Sequence, residues 1–229
     1  IKKPKPLPEI TDEEKPFEIP GSWEWVRLGE VGLTQTGTTP STKQEKYYGG
    51  SIPFVKPNDI YLNKINYDTQ LKLTEEGANK GRLADKYSIL MVCIGTIGKV
   101  YVTDKVCSFN QQINSLSPYM NKITHSKHLL YFMQSKCFQD KLWELSSATT
   151  IPILNKSKWE SMLIPLPPLA EQKRIVEKVD ELFALIDELD SNKEDLLEVI
   201  NLTRNQVLQE AIQGKLVEQN PEDEPASLL

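Results

Sequence analysis

One stretch constrains this chain more than any other: the run from Leu169 to about Ile212, beginning Leu-Ala-Glu-Gln-Lys-Arg-Ile-Val. Pro165, Pro167 and Pro168 precede it, and neither proline nor glycine interrupts it before Gly214. Proline is tolerated at a helix start, where the first N–H groups lack internal partners, and glycine is a common C-terminal stop. The run predicts one helix roughly 65 Å long, against a usual length of about 11–12 residues. Its apolar residues alternate at steps of three and four. One seam row reads Val179, Ile186, Lys193, Ile200, Val207 and the other Ile175, Leu182, Leu189, Leu196, Thr203, with Val176, Phe183, Leu197 and Ala211 alongside. Such heptad spacing predicts a coiled coil. A stripe of that length exceeds what the preceding domain can cover, so a second long helix is expected to pair with it. The expected dimer contacts are Ile175, Val179, Leu182, Ile186, Leu189, Leu196, Ile200 and Val207. The plainer alternative is a surface helix packed on its own domain. Ser191-Asn192-Lys193 interrupts the stripe midway, as polar seam residues that set register do.

The chain has 229 residues, 39% of them apolar, enough for one ordinary domain plus the helix. No run of 18 apolar residues suggests a membrane span. The N-terminus, Ile1-Lys2-Lys3-Pro4-Lys5-Pro6, lacks a signal peptide's apolar core and begins without Met, so the numbering is expected to start inside a longer chain. Cys93, Cys107 and Cys137 show no metal or redox spacing, and their apolar surroundings suit reduced thiols in a cytoplasm. The net charge of −5 is uneven: residues 169–229 carry 6 Lys and Arg against 15 Asp and Glu, leaving 21 against 17 in residues 1–168. A globular part at +4 beside a helical part at −9 permits nucleic-acid binding by the first alone.

Residues 1–20, rich in Pro, Lys and Glu, read as a linker. Residues 21–168 read as a mixed α/β domain, 169–213 as the long helix and 214–229 as a tail, an α+β chain overall. Trp23 and Trp25 are expected to anchor the domain core. Thr36 to Gly50 is turn-rich, Ile52-Pro-Phe-Val55 a short strand, and residues 61–86 a second polar region. Ser88–Ile94 and Lys99–Thr103 form a predicted hairpin across Gly95-Thr-Ile-Gly98, followed by a strand-like Cys107–Leu116. His125 to Glu144 has helical spacing, Ser146–Thr150 reads as a loop, and Ile151–Leu166 as one or two strands.

No catalytic constellation emerges. Gly95-Thr-Ile-Gly-Lys-Val100 is too short for a phosphate loop and lacks its Ser or Thr, so a hairpin turn is expected. His125 and His128 stand one helical turn apart, yet no carboxylate or Cys lies at ligand spacing, which points to a partly exposed helix start. Nucleophile elbows, cofactor loops and the amino-methyltransferase signature are absent. No metal and no cofactor are expected on this chain, and it reads as a binding protein.

Several stretches together resemble the specificity subunits of type I restriction–modification systems. They are Pro16-Phe-Glu-Ile-Pro-Gly-Ser-Trp-Glu-Trp-Val-Arg-Leu-Gly29, Ile52-Pro-Phe-Val55, Gly95–Gly98, Phe109-Asn-Gln111, Ile164-Pro-Leu-Pro-Pro-Leu-Ala-Glu-Gln-Lys-Arg-Ile-Val176 and Leu208–Val217. The Pro-Pro-Leu-Ala-Glu-Gln-Lys-Arg-Ile run is the most specific. The resemblance implies a non-catalytic subunit that binds double-stranded DNA and docks two methyltransferase subunits, which carry S-adenosylmethionine; restriction subunits can join. A complete member has two recognition domains spaced by two antiparallel helices. This sequence offers one of each and looks like a half-length form. A homodimer through the long helix, reading a palindromic bipartite site, is therefore expected.

The residues expected at DNA are Thr38, Thr39, Lys43, Lys46, Tyr47, Asn58, Lys80, Arg82, Thr149, Thr150 and Lys156. Lys and Arg would hold phosphates, and Thr, Asn and Tyr would reach base edges. Asn110-Gln111, in a motif that the resemblance shares among members of different specificity, is expected to be structural. The acidic helix face (Glu177, Asp180, Glu181, Asp187, Glu188) is expected either to meet the methyltransferase or simply to be solvated. A coiled-coil scaffold whose head binds protein is the competing reading.

Overall fold

A computed structural model describes residues 7–120, 122–147, 151–190 and 197–228. Ten strands and six α-helices follow one another in it. Strand β1 is Glu24–Arg27, β2 Gly32–Thr36, β3 Tyr48–Val55 and β4 Lys72–Leu73; helix α1 is Glu75–Lys80. Then come β5 Leu83–Ala84, β6 Ile89–Val92, β7 Val100–Val102, β8 Cys107–Phe109 and β9 Ile113–Pro118. Helices α2 Ile123–Gln134, α3 Lys136–Leu145 and α4 Lys156–Glu160 precede β10 Leu163–Leu166, and α5 Leu169–Asp190 and α6 Leu197–Ile212 follow it. The α+β class expected from the sequence holds.

An antiparallel sheet in the order β2-β9-β6-β7 stands at the centre, a second sheet in the order β4-β3-β8-β5 lies beside it, and β1 pairs with β10. Strand β6, Ile-Leu-Met-Val, is apolar throughout because both its faces are covered. Alternate side chains serve different cores. Ile89 and Met91 join Val100, Val102, Leu116 and the helices α2, α3 and α5, whereas Leu90 and Val92 join Val55, Cys107, Phe109 and Ile113 of the second sheet. Burial of the Cys93 and Cys107 thiols raises each to about 12, which leaves them protonated.

The predicted single rod is corrected. Leu169–Asp190 and Leu197–Ile212 form two helices folded against each other, not one. Arg204 of α6 bonds Asp187 of α5, and Val207, Leu208, Ala211 and Ile212 share a core with Ile175, Val176 and Val179. In one continuous helix, Asp187 and Arg204 would stand roughly 25 Å apart. Most of the seam expected to meet another chain is covered by its own: Ile175, Val179, Ile186, Ile200 and Val207 are buried and Leu182 is half-buried. The side chain of Leu189, and Leu196 entirely, lie outside the described residues. What the sequence could not show is that the stripe's two halves satisfy one another, with the polar Ser191-Asn192-Lys193 between them.

Residues 7–19 are strapped to the domain by Arg27. Its guanidinium, buried to 3% exposure, donates to the carbonyls of Pro8, Glu9 and Ser161 and to both carboxylate oxygens of Glu14, at 2.8–3.1 Å. Ile10, Phe17 and Ile19 pack on the core, and Phe17 meets Trp25 edge-on at 5.1 Å. The tail meets the segment that follows the strap, where Ala226 N–H donates to the Ser22 carbonyl at 3.3 Å.

Candidate nucleic-acid interface

Four turns converge at one end of the sheets. The β2–β3 connection leaves its strand at Gly37, whose N–H donates to the Ile113 carbonyl at 2.9 Å, and Thr38 N–H donates to the Phe109 carbonyl at 3.1 Å. A Cβ at Gly37 would stand 2.1 Å from the Asn110 carbonyl oxygen, so only glycine permits this approach. Thr39 Oγ1 then donates to Gln111 Oε1 at 2.7 Å. On the other side of the 110–112 turn, Cys93 N–H donates to the Gln112 carbonyl at 2.7 Å, and Gly95 N–H donates to Pro152 at 3.0 Å. Between the 94–96 turn and the 56–59 turn opens a cleft of about 440 Å³, with Lys56, Asn58, Gln70, Thr96 and Gln112 among its lining. The turn at Gly95–Gly98 is the predicted hairpin: both glycines have positive φ (84° and 90°), and a Cβ at Gly98 would strike the Gln139 amide.

Thr38, Thr39 and Asn58 thus belong to one end of the fold. Thr38 Oγ1 is buried without a hydrogen-bond partner among the described residues. Lys43, Lys46 and Tyr47 lie on the β2–β3 connection near α1, where Lys46 is tied to Glu76 and stacks over Tyr47. Lys80 and Arg82 flank the end of α1 and are exposed. Lys156 is bonded to Glu160, which also receives Thr34 Oγ1, so its charge is already matched. Thr149 and Thr150 lie outside the described residues. Sequence reasoning missed Lys56, Gln70, Thr96 and Gln112. Lys56 left a trace, as the cation that directly follows the Ile52–Val55 strand.

Charge pairing separates this part of the molecule from the helices. Lys136–Asp140, Lys141–Glu144, Lys173–Glu177 and Lys178–Glu181 neutralise their own helices. Between residues 43 and 105, by contrast, Lys43, Lys56, Lys64, Lys80, Arg82, Lys86, Lys99 and Lys105 have no ion pair among the described residues. Three of these lysines instead lie over tyrosine rings: Lys64 over Tyr61, Lys86 over Tyr87 and Lys105 over Tyr67, at 4.7–5.7 Å. Cations without acidic partners, beside aromatic rings and amides, are suited to polyanion contact.

His125 and His128 are not at an exposed helix start; both are buried. Gln172 Nε2 donates to the Pro167 carbonyl at 2.9 Å, so its Oε1 must accept from His125 Nδ1 at 2.6 Å. Burial drives His128 down to about 3 and lowers His125, so both rings are neutral near pH 7. Among the described residues, no cluster of His, Cys, Asp and Glu could hold a metal ion. No helix among them is long and apolar enough to cross a membrane.

The family model described as "Type I restriction modification DNA specificity domain" matches residues 20–199. The chain belongs to that family. Among curated relatives, the EcoKI specificity subunit of Escherichia coli K12 is 34% identical over 217 residues, covering 91% of this chain and 46% of the relative. The MjaIX specificity subunit of Methanocaldococcus jannaschii is 27% identical over 187 residues, covering 80% and 42%. The fold is also that of the HsdS subunit from Thermoanaerobacter tengcongensis, with TM-score 0.62 and 24% identity over 87% of this chain and 47% of that one. The chain spans less than half the length of these relatives.

The sequence run that most resembles type I specificity subunits has a structural role in this chain. At the start of α5, Glu171 Oε2 accepts from Trp23 Nε1 at 2.9 Å and its other oxygen accepts from Gln219, while Arg174 pairs with Asp223 at 2.7 Å. The Glu-Gln-Lys-Arg sequence of this specificity domain thus joins the opening Trp, the helix and the tail. Its acidic helix face is partly spent internally: Asp180 receives Lys127 and Tyr131, and Asp187 receives Arg204.

Proposed function

We propose that the chain is a non-catalytic subunit that reads one half-site of a bipartite DNA sequence for a type I restriction–modification complex. The observation that carries this reading is the convergence of the 37–39, 56–59, 94–96 and 110–112 turns around a cleft lined by Lys56, Asn58 and Gln112, on a chain of the specificity-domain family. Lys43, Lys80 and Arg82 hold phosphates; Thr39 and Asn58 stand where base edges would come, while the buried Thr38 hydroxyl does not. Methyltransferase subunits, which would bring S-adenosylmethionine, dock on the α5–α6 hairpin, and restriction subunits join that assembly. Retention of the chain on duplex DNA should fall steeply as salt rises. Arg82→Ala should weaken binding to all sequences alike and lower the salt slope by about one; an unchanged slope removes Arg82 from the phosphate contacts, and salt-insensitive retention argues for a protein-binding head instead.

A second copy supplies the other half-site. The seam is covered within one chain, so the dimer contact moves to the hairpin's outer face, where Leu185, Val199 and Leu202 are 51%, 56% and 64% exposed. A copy of the chain meeting that face would give a two-fold assembly with one recognition domain on each side. Light scattering at micromolar concentration should give a dimer, and Leu202→Glu a monomer with an unchanged melting temperature. A wild-type monomer would contradict it.

A further inference from the structure

Within the cleft, hydrogen bonding fixes which way the Gln112 amide faces. The Gln112 backbone N–H donates to Asn110 Oδ1 at 3.1 Å, so the other end of the Asn110 amide is its donor, Nδ2. That Nδ2 lies 3.0 Å from the Gln112 side chain, whose near atom must then be the acceptor Oε1. Both hydrogens of Gln112 Nε2 are left over, and Nε2 has no partner among the described residues. Nε2 stands 3.8 Å from where a Cβ would sit at Gly95, beside the turn that borders the cleft. The residue is also pinned through its carbonyl, which accepts Cys93 N–H at 2.7 Å. This is an amide presented as a pure donor on a rigid turn.

We propose that Gln112 is a specificity-determining residue whose Nε2 donates to the O6 and N7 acceptors of a guanine in the major groove. Guanine alone offers two adjacent acceptors there; adenine sets a donor beside N7, and cytosine presents a donor. Asn110, expected to be structural, acts through Gln112 by holding its Oε1 away from the base. The inference rests on the DNA-reading function above and adds the residue and the base edge it selects.

The test selects binding sites from a randomised duplex library with the full-length chain, as wild type, Gln112→Glu and Gln112→Ala. The carboxylate introduced by Gln112→Glu would keep one oxygen accepting from Asn110 and turn an acceptor toward the base. The expected result is one position that changes from guanine to cytosine, with about a tenfold exchange of preference. Gln112→Ala should lose discrimination at that position only, with the salt slope unchanged. If Gln112→Glu does not fold, 7-deazaguanine at that position decides: it should weaken wild type about tenfold and leave Gln112→Ala unaffected. The same motif from all three proteins, or equal losses with 7-deazaguanine, overturns the assignment of Gln112 alone. A wild-type chain that binds no duplex overturns the DNA-reading function, and this inference with it.

Discussion

Arg27→Ala should destabilise the chain by about 3 kcal/mol, the low end of the range for breaking a buried charged network. The loss strands the carbonyls of Pro8, Glu9 and Ser161, which the guanidinium holds at 2.8–3.1 Å. Glu14 limits the damage, because its side chain is 41% exposed and can rehydrate. Arg27→Lys should recover little, since an ammonium cannot serve all these acceptors from one plane. Hydrogen exchange would check the mechanism: amides of residues 7–19 should lose protection before those of β6. Uniform loss across the domain would mean that the strap and core are one cooperative unit.

Acid should begin to destabilise this chain once pH falls below about 6.5. His128 is buried, and its pKa falls from the ordinary 6.5 to about 3. Between these values the unfolded chain binds a proton that the folded chain refuses, so stability is full above 6.5 and is lost as pH falls through the window. One histidine contributes about 1.4 kcal/mol per pH unit there. His125 is lowered by burial too and adds in the same direction. Glu171 works the other way: burial raises it, so the folded chain holds its proton more tightly and stability from that source is lost as pH rises past the ordinary 4.5. Lowering pH from 7.5 to 5.0 should therefore cost about 2 kcal/mol in urea titrations, and His128→Leu should flatten the dependence. A wild-type midpoint constant over that interval would contradict buried, neutral histidines.

Much of the domain was legible because its signals are local. The β6–β7 hairpin follows from an apolar run, Gly-Thr-Ile-Gly and a returning strand. The α2–α3 helices follow from apolar spacing, although Ser135, which caps α3 through Phe138 N–H, divides what reads as one segment. The long helix misled because periodicity tells which face of a helix is apolar, not what covers it: Val179 and Val207 satisfy heptad spacing equally well against each other or against another chain. At the site, residue type pointed to Thr38, Thr39 and Asn58. It could not reveal that Lys156 is spent on Glu160, or that Asn110 orients Gln112, since both depend on contacts made by folding.

Whether this chain chooses the DNA sequence for partners that modify it is tested most directly by co-expression with a type I methyltransferase subunit, followed by genome-wide mapping of methylated adenines. Methylation is expected at one bipartite, palindromic motif, and only when the chain is present. Methylation at the same sites with and without the chain would contradict that role.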